Sequence, residues 1–289
     1  MEQGIILKGV GGYYDALVDG EVVRATARGL FRKQGLSPMV GDHVWLERQK
    51  EGHARLAKIL PRNNTLLRPA CANVDRLIIV LSAQYPEPDW LLVDKLIVQA
   101  GMQNIEPIPV LNKSDRAHRE TAETFLEDYK HFRTCVVSAA TGEGLDVLAA
   151  FLRGRICCFA GQSAVGKSSL LNALLPKLDL AVGELSRKTD HGRHTTRHAQ
   201  LIPMFGGAVL DTPGFSRLES PPKEQAVLDS CYPEFSDAAP CRFPGCRHRS
   251  EPDCGVLALL ADGRLTQGRF GRYSMIADEI EERRRHRYD

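Results

Sequence analysis

The segment that most constrains the fold is Gly161–Ser168, whose sequence GQSAVGKS has the form G-x-x-x-x-G-K-[ST]. An apolar stretch, Arg155–Ala160, precedes it, and the pattern predicts a helix at Lys167–Leu175. In this setting the backbone N–H groups of the loop curl around a phosphate at the helix N-terminus, where the dipole favours anions. A glycine-rich turn that binds nothing is the alternative. The strand–loop–helix context instead favours an α/β domain that binds a nucleotide.

The residue types of this loop suit phosphate chemistry. We expect Lys167 to reach the β- and γ-phosphates and the Ser168 hydroxyl to ligate Mg²⁺. The predicted nucleotide contacts in this part of the chain are Gly161, Gln162, Ser163, Ala164, Val165, Gly166, Lys167, Ser168 and Ser169.

Two further motifs favour guanine over adenine. The segment Asn112–Asp115 (NKSD) follows an apolar strand, and its final carboxylate can accept from guanine N1–H and N2 amine. Adenine would leave that carboxylate unpaired, which is costly. We expect Asn112 to brace neighbouring loops and Lys113 to pack along the base. The segment Ser138–Ala140 resembles a loop whose backbone N–H contacts guanine O6, although either motif alone is weak. The predicted base contacts are Asn112, Lys113, Ser114, Asp115, Ser138 and Ala139.

A D-x-x-G motif, Asp211–Gly214 (DTPG), lies further along the chain. We expect Asp211 to hold Mg²⁺ through water and the Gly214 N–H to meet the γ-phosphate. The polar segment Leu180–Gln200 is predicted to be a switch loop or a disordered loop, and both can hold because such loops order around the γ-phosphate. Its candidate contacts are Thr195 and Thr196. The predicted Mg²⁺ ligands are Ser168, Thr196 and Asp211.

The motifs follow an unusual order along the chain. In an ordinary GTPase the phosphate loop comes first, then the switch threonine, D-x-x-G, N-K-x-D and the Ser-Ala loop. Here N-K-x-D and Ser-Ala precede the phosphate loop, and D-x-x-G comes last. Because the cyclic order is preserved, we infer a circular permutation of one sheet, which close-lying domain termini make tolerable. The segment after Gly214 then leads directly into a Cys/His-rich C-terminal part.

The N-terminal region consists of short alternating segments separated by Gly and Asp turns, which predicts a five-stranded OB-type barrel. Residues 1–67 carry ten Lys and Arg residues against seven Asp and Glu residues. A basic and aromatic group there is a candidate for RNA contact, with a solvated loop as the alternative. Its members are Arg28, Phe31, Arg32 and Lys33.

The C-terminal part contains a candidate metal site. Three cysteines and one histidine fall within fourteen residues: Cys241, Cys246, His248 and Cys254. A Cys₃His set matches closed tetrahedral zinc sites, and free reduced thiols are the alternative. We expect one structural Zn²⁺ per chain, because a small segment with few apolar residues needs such a staple. The remaining cysteines are expected to fill the core. They are Cys71, Cys135, Cys157, Cys158 and Cys231.

The charged tail gives little support for RNA binding. Residues 221–289 contain eleven basic and twelve acidic residues. Glu279–Arg283 and Glu281–Arg285 are spaced as i,i+4 pairs, which favours a salt-bridged helix face. The better candidates for RNA contact surround the metal motif. They are Arg242, Arg247 and Arg249.

Length and composition fit several globular domains. The chain has 289 residues, 43% of them hydrophobic and 26% charged, which excludes a disordered or fibrous chain. The formal net charge is only +2, so any nucleic-acid contact must be local. We find no signal-peptide pattern and no apolar run near the roughly 20 residues that span a bilayer. We expect a cytoplasmic protein without a membrane partner, monomeric when free.

Together these segments resemble the circularly permuted, ribosome small subunit-dependent GTPase family (RsgA type). The resemblance rests on KGVGGYY, FRKQGLSPMVGD, RPACANVDRLIIV, VLNKSD, GQSAVGKSSLLNALL, GRHTTRHAQL, DTPGF and the Cys/His pattern. It implies an OB-fold barrel at 1–67, a permuted α/β P-loop GTPase domain at 68–220, and a mostly α zinc-binding domain at 221–289. In that family the three domains grip the maturing small ribosomal subunit and its rRNA, and subunit-stimulated GTP hydrolysis is coupled to release.

The catalytic residue is predicted from the resemblance. Phe215 follows D-x-x-G where Ras-like enzymes carry a water-orienting Gln, so unassisted hydrolysis should be slow. The resemblance implies His194 as the water-positioning group, and a solvent-facing histidine is the alternative. Two rival functions stay open: a P-loop metabolic kinase, and an RNA-binding adaptor with weak or vestigial turnover.

Overall fold

The computed structural model describes residues 1–27, 31, 36–49, 53–67, 70–175, 199–215 and 224–285, with the backbone alone at 211–215. Several predicted site residues lie outside the described residues: Arg28, Arg32, Lys33, His194, Thr195 and Thr196. The chain folds into two compact units. One unit comprises Met1–Leu77, Leu145–Phe159 and Ser168–Phe215, and the other comprises Ile78–Gly144, Ala160–Lys167 and Ser216–Asp289.

Strands and helices alternate through the middle of the chain, as the sequence predicts. The described strands are β1 (Glu2–Val10), β2 (Tyr13–Val18), β3 (Glu21–Ala27), β4 (His43–Arg48), β5 (Ala54–Ile59), β6 (Thr65–Leu67), β7 (Ala70–Ala72), β8 (Arg76–Ser82), β9 (Glu106–Asn112), β10 (Cys135–Val137), β11 (Ile156–Ala160), β12 (Gln200–Met204) and β13 (Gly207–Phe215). The described α-helices are α1 (Trp90–Gly101), α2 (Arg119–Asp128), α3 (Leu145–Leu152), α4 (Lys167–Leu174), α5 (Gln225–Ser230), α6 (Gly255–Ala261) and α7 (Gln267–Arg285).

The N-terminal strands form the expected OB-like barrel. Their order is β1-β2-β3-β5-β4, and β1 also pairs with β4 through Glu2↔Leu46, which closes the sheet. Along each strand every second side chain points inward, and these apolar side chains fill the barrel. Its buried core consists of Ile6, Ala16, Val18, Val23, Ala25, Phe31, Val44, Leu46, Ala54 and Leu56.

The sheet continues from the barrel in the same unit. Strand β12 pairs antiparallel with β1 at Lys8↔Gln200 and with β13 from Gln200↔Asp211 to Met204↔Gly207. The sequence did not predict β12, whose five residues, QLIPM, begin at Gln200, where the segment expected to be a polar loop ends. The pairing of β12 with β13 is antiparallel, so this sheet is not purely parallel. Strand β12 also pairs with β1, so it connects the barrel to β13.

The second unit contains the strand order β10-β9-β8. Strands β9 and β10 pair in parallel, and every residue of β8 (RLIIVLS) is buried, which is typical of a central parallel strand. Helix α1 begins after Asp89, whose carboxylate accepts from Leu92 N at 2.9 Å and so caps the N-terminus of the helix. No helix in the described part of the chain is both long and apolar enough to cross a membrane.

Helix α7 is anchored on helices α1 and α2 by buried charges. Arg269 Nη1 lies 2.6 Å from Asp94 Oδ1, and Arg269 Nε donates to Glu234 at 2.7 Å. Arg272 donates at 2.7 Å to both Asp94 and Asp128. Burial opposes the charged form of both arginines, but the carboxylates outweigh it, and Asp94 is the largest contributor to the raised pKa of each. These paired charges fix the register of α7 against the helices that flank β9.

Candidate functional site

The phosphate loop requires glycine at two positions. Gly161 and Gly166 have φ values of 131° and 100°, a region that residues with a side chain rarely adopt. A Cβ on Gly161 would lie 2.0 Å from the Val80 carbonyl oxygen, and one on Gly166 would lie 2.3 Å from Asn112 Nδ2. The loop is therefore packed tightly against the ends of β8 and β9, and only glycine fits there.

The lysine of this loop is folded back over the loop itself. Lys167 Nζ donates to the carbonyl oxygens of Gly161 and Gln162 at 2.8 and 2.5 Å. Burial lowers the pKa of Lys167 from its ordinary value. Both contacts are to neutral carbonyls, so an anionic phosphate would be a stronger partner for this ammonium group.

The N-K-S-D segment holds the phosphate loop in place. Asn112 Nδ2 donates to Val165 O at 2.8 Å, and Asn112 Oδ1 accepts from Ala139 N at 3.3 Å. Lys113 has a left-handed backbone and donates through Nζ to the carbonyl oxygens of Ala164, at 2.9 Å, and Tyr85. One short segment thus ties together the loop expected to bind phosphates and the loop expected to contact the base.

The carboxylate expected to recognise guanine is already oriented. The Ser138 hydroxyl donates to Asp115 Oδ1 at 2.6 Å, and this hydrogen bond is the main cause of a lowered pKa at Asp115. The same hydroxyl oxygen lies within hydrogen-bonding distance of Ala140 N and Thr141 N, at 3.2 and 3.1 Å. Asp115 is therefore ionised at neutral pH, as an acceptor for two guanine N–H groups must be.

The second unit therefore brings together much of the predicted nucleotide site, namely 112–115, 138–139 and 161–167. Ser168 and Ser169 lie in the first turn of α4. Asp211 and Gly214 lie on β13, where the backbone alone is described. The sequence missed the supporting carbonyls of Tyr85 and Val165, because a backbone acceptor has no residue-type signature.

The Cys/His residues form a compact group at the C-terminal end. Their ligand atoms all lie within 4.8 Å of one another. Cys241 Sγ lies 3.7 Å from Cys254 Sγ and 3.6 Å from His248 Nδ1, and the Cys254–His248 distance is 3.2 Å. Metal–ligand bonds of a tetrahedral zinc site imply S–S separations of roughly 3.8 Å and S–N separations of roughly 3.5 Å. Donor set and spacing therefore fit a tetrahedral metal ion that favours sulfur and nitrogen.

The ionisation of these thiols also fits a metal site. Partial burial alone would raise the pKa of Cys254, but hydrogen bonds, first from Leu257 N and then from His248 and the other thiols, lower it. Burial and the neighbouring thiols raise the pKa of Cys246 to about 12. The pKa values of the two thiols thus move in opposite directions, and a bound cation would favour the thiolate form of both.

The RNA-contact candidates in the described residues differ from expectation. Phe31 is only 6% exposed and belongs to the barrel core, so the prediction of an RNA-contacting ring is wrong for this conformation. The three candidate arginines near the metal group are at least one-third exposed, but each pairs with a carboxylate of the same chain. The pairs are Arg242–Asp253, Arg247–Glu281 and Arg249–Asp278.

The fold and the site together define a class of protein. A phosphate loop follows a buried strand, N-K-x-D and Ser-Ala loops lie beside it, and D-x-x-G comes last along the chain. This is the arrangement of a P-loop GTPase with circularly permuted motifs. The RsgA GTPase family model matches residues 59–221, and the RsgA N-terminal domain model matches residues 3–56. The chain belongs to the RsgA GTPase family.

Relatives of similar length agree with this assignment. The chain is 42% identical to the small ribosomal subunit biogenesis GTPase RsgA of Caldanaerobacter subterraneus subsp. tengcongensis, across 99% of this chain and 98% of that protein. It is 40% identical to the protein of that name from Geobacillus sp., across 98% and 99%. YjeQ from Thermotoga maritima superposes with a TM-score of 0.85 at 34% identity, covering 96% of this chain and 98% of that one. YloQ, a circularly permuted GTPase, gives 0.82 at 34% identity, covering 98% and 96%.

Proposed function

We propose that this chain hydrolyses GTP during late maturation of the small ribosomal subunit. It binds the subunit through rRNA, and hydrolysis stimulated by the subunit triggers its release. The observation that carries the nucleotide choice is the Asp115 carboxylate, which accepts from the Ser138 hydroxyl beside a phosphate loop that Asn112 braces. Relatives that match this chain over nearly its full length are named small ribosomal subunit biogenesis GTPases, which supports the choice of partner.

In this proposal the nucleotide lies along the segments that the second unit brings together. Asp115 accepts from guanine, while the backbone of Gly161–Gly166 and the Lys167 ammonium bind the phosphates. Ser168, Thr196 and Asp211 hold Mg²⁺, which supplies charge neutralisation on the phosphates when bound. Thr195 is the alternative to Thr196.

His194 is the proposed residue that orients the attacking water. Phe215 occupies the position after D-x-x-G, and its apolar ring has no atom that can align water. The free chain should therefore hydrolyse GTP slowly, and contact with the subunit is proposed to place His194. A chain that waits for its partner before hydrolysing behaves as a switch.

The remaining parts are proposed to hold the chain on the subunit. We assign residues 1–67 and 221–289 as the barrel and the zinc-binding domains that contact rRNA, around a nucleotide domain at 68–220. One Zn²⁺ is held by Cys241, Cys246, His248 and Cys254. The arginines near the metal must exchange intramolecular carboxylates for RNA phosphates, which makes their contribution salt-dependent. We further propose a cytoplasmic protein that is monomeric when free.

The test is GTP turnover measured with and without purified small ribosomal subunits. We expect turnover to rise at least tenfold with subunits, and His194→Ala to lose this rise while GTP binding stays near wild type. ATP turnover at a comparable rate would instead support a metabolic kinase. Subunit binding without any turnover would support an RNA-binding adaptor, and either result would refute the proposal.

A further inference from the structure

A carboxylate outside the Cys/His motif faces the histidine of the metal group. His248 turns Nδ1 toward the thiols, 3.2 Å from Cys254 Sγ and 3.6 Å from Cys241 Sγ. Its other ring nitrogen, Nε2, lies 3.6 Å from Asp229 Oδ2. Asp229 belongs to α5, twelve residues before Cys241 in the sequence. The imidazole therefore lies between the metal group and a carboxylate from a separate helix.

Asp229 is itself held by a chain of hydrogen bonds. The Tyr273 hydroxyl donates to Asp229 Oδ1 at 2.6 Å, and Gln225 Nε2 donates to the Tyr273 oxygen at 2.7 Å. Gln225 Nε2 also lies 3.3 Å from Arg247 O, next to His248 in the chain. The carboxylate is thus fixed by α5 and α7 together, and its second oxygen is left facing the imidazole.

Packing fixes the imidazole from its other sides. The Phe235 ring meets the His248 ring edge-on with centroids 5.6 Å apart, and the Tyr273 centroid lies 6.2 Å away. His248 is only 7% exposed, so its ring is enclosed by its neighbours. Its φ of 57° places its backbone in the left-handed region, which residues with a side chain rarely adopt. A histidine used only to fill the core would need neither the thiols on one nitrogen nor the carboxylate on the other.

We infer that Asp229 is the outer partner of the metal site and that it positions His248 as a ligand. A metal-binding histidine commonly donates its second N–H to a carboxylate, which fixes the tautomer and makes the other nitrogen a stronger donor. Asp229 is the carboxylate placed to accept, with Oδ2 3.6 Å from Nε2, and Tyr273 holds it in place. The metal site therefore includes α5, the first described helix after D-x-x-G. This inference rests on the proposed zinc site.

The experiment compares Asp229→Asn with the matched control Asp253→Asn. Both remove one carboxylate, but Asp253 is 69% exposed at its side chain and pairs with Arg242, although it adjoins Cys254. Zinc affinity is measured by competition with a chromophoric chelator, and the full-length chain is also loaded with Co²⁺ to record its visible absorption. Asp229→Asn should weaken zinc binding about 10- to 100-fold and shift the Co²⁺ bands. Asp253→Asn should stay within about twofold of wild type, the change expected of an exposed surface charge.

Two further variants keep the test decisive if Asp229→Asn folds poorly. Tyr273→Phe deletes one hydroxyl and should weaken zinc binding less than Asp229→Asn, with a smaller shift of the Co²⁺ bands. Asp229→Glu keeps a carboxylate and should recover part of the affinity. Equal zinc affinity and unshifted bands in Tyr273→Phe, Asp229→Asn and Asp253→Asn would overturn the role of Asp229. Failure of the wild-type chain to bind zinc at all would overturn the zinc site as well, while GTP turnover tests the nucleotide proposal separately.

Discussion

Asp115, the acceptor proposed for guanine, has a carboxylate that is already fixed by a hydrogen bond. Its carboxylate accepts from the Ser138 hydroxyl, which is fixed in turn by two backbone N–H groups. The Asp115 side chain is 21% exposed, and the Ser138 hydrogen bond outweighs the burial that would otherwise raise the pKa of its carboxylate. The arrangement favours an ionised acceptor over a neutral one.

We predict that Asp115→Asn lowers affinity for GDP by roughly 100-fold, about 3 kcal/mol, because an amide cannot accept from two guanine N–H groups. Fluorescent GDP titration of both chains measures this loss. Glu120→Gln, on the exposed surface of α2, is the control and should bind GDP as wild type does. Equal affinity of Asp115→Asn and wild type would show that guanine is recognised elsewhere.

At this scale the sequence predicted residue types better than their partners. N-K-S-D predicted that Asn112 braces neighbouring loops, and its amide does bond to Val165 O and Ala139 N. The sequence could not predict that the Tyr85 carbonyl oxygen accepts from Lys113, because every residue has a carbonyl group. Phe31 was misjudged for a related reason: an aromatic residue among basic ones fits a base-stacking surface and a barrel core equally well.

In helix α7, too, the sequence predicted the element but not the partners of its charged side chains. The sequence predicted a helix with i,i+4 pairs at Glu279–Arg283 and Glu281–Arg285. The second pair is present at 4.0 Å, but Glu279 pairs with Lys95 on α1 at 2.5 Å. The buried Arg272 looks like part of a polar face in the sequence, because its carboxylate partners, Asp94 and Asp128, lie over 100 residues away.

We predict that Arg272→Lys destabilises the chain by about 2 to 4 kcal/mol. An ammonium group cannot reproduce the two directed contacts from Nε to Asp94 and from Nη2 to Asp128, so buried carboxylates lose partners. Urea unfolding followed by circular dichroism measures the change. The control Arg283→Lys lies on the exposed face of the same helix and should shift stability by less than about 0.5 kcal/mol. Indistinguishable curves for the two variants would mean that α7 is held by its apolar contacts alone.

Across the whole molecule, the sequence predicted the types of domain and motif better than the pairing of strands that are distant in the chain. The barrel, the permuted motif order and the Cys/His group all follow from local patterns. The β12–β1 pairing does not, since a five-residue strand with proline leaves no strong signal and its partner is nearly 200 residues away. The boundaries 1–67, 68–220 and 221–289 remain predictions, and the compact units divide the chain differently.

We predict that metal removal affects one part of the molecule and spares another. Apolar residues around the metal group form a small cluster with Cys254, Val256, Leu259 and Leu265 at its centre, whereas the barrel has a separate core. After chelation, hydrogen exchange should speed up in α6 while strands β1–β5 keep their protection, because the small cluster depends on the bound metal for its stability. Mass spectrometry of peptides from both regions measures this. Uniform loss of protection would show that the metal stabilises the whole chain.

The permuted motif order also sets the order in which the site is synthesised. Translation runs from the N-terminus, so the loops after β9 and β10, which carry Asp115 and Ser138, leave the ribosome before the phosphate loop. Asn112 must then wait for Val165, 53 residues later, before its side-chain amide gains its partner. In a conventional GTPase the phosphate loop emerges first. Here the loops proposed to contact the base are complete in the nascent chain before the phosphate loop has been synthesised.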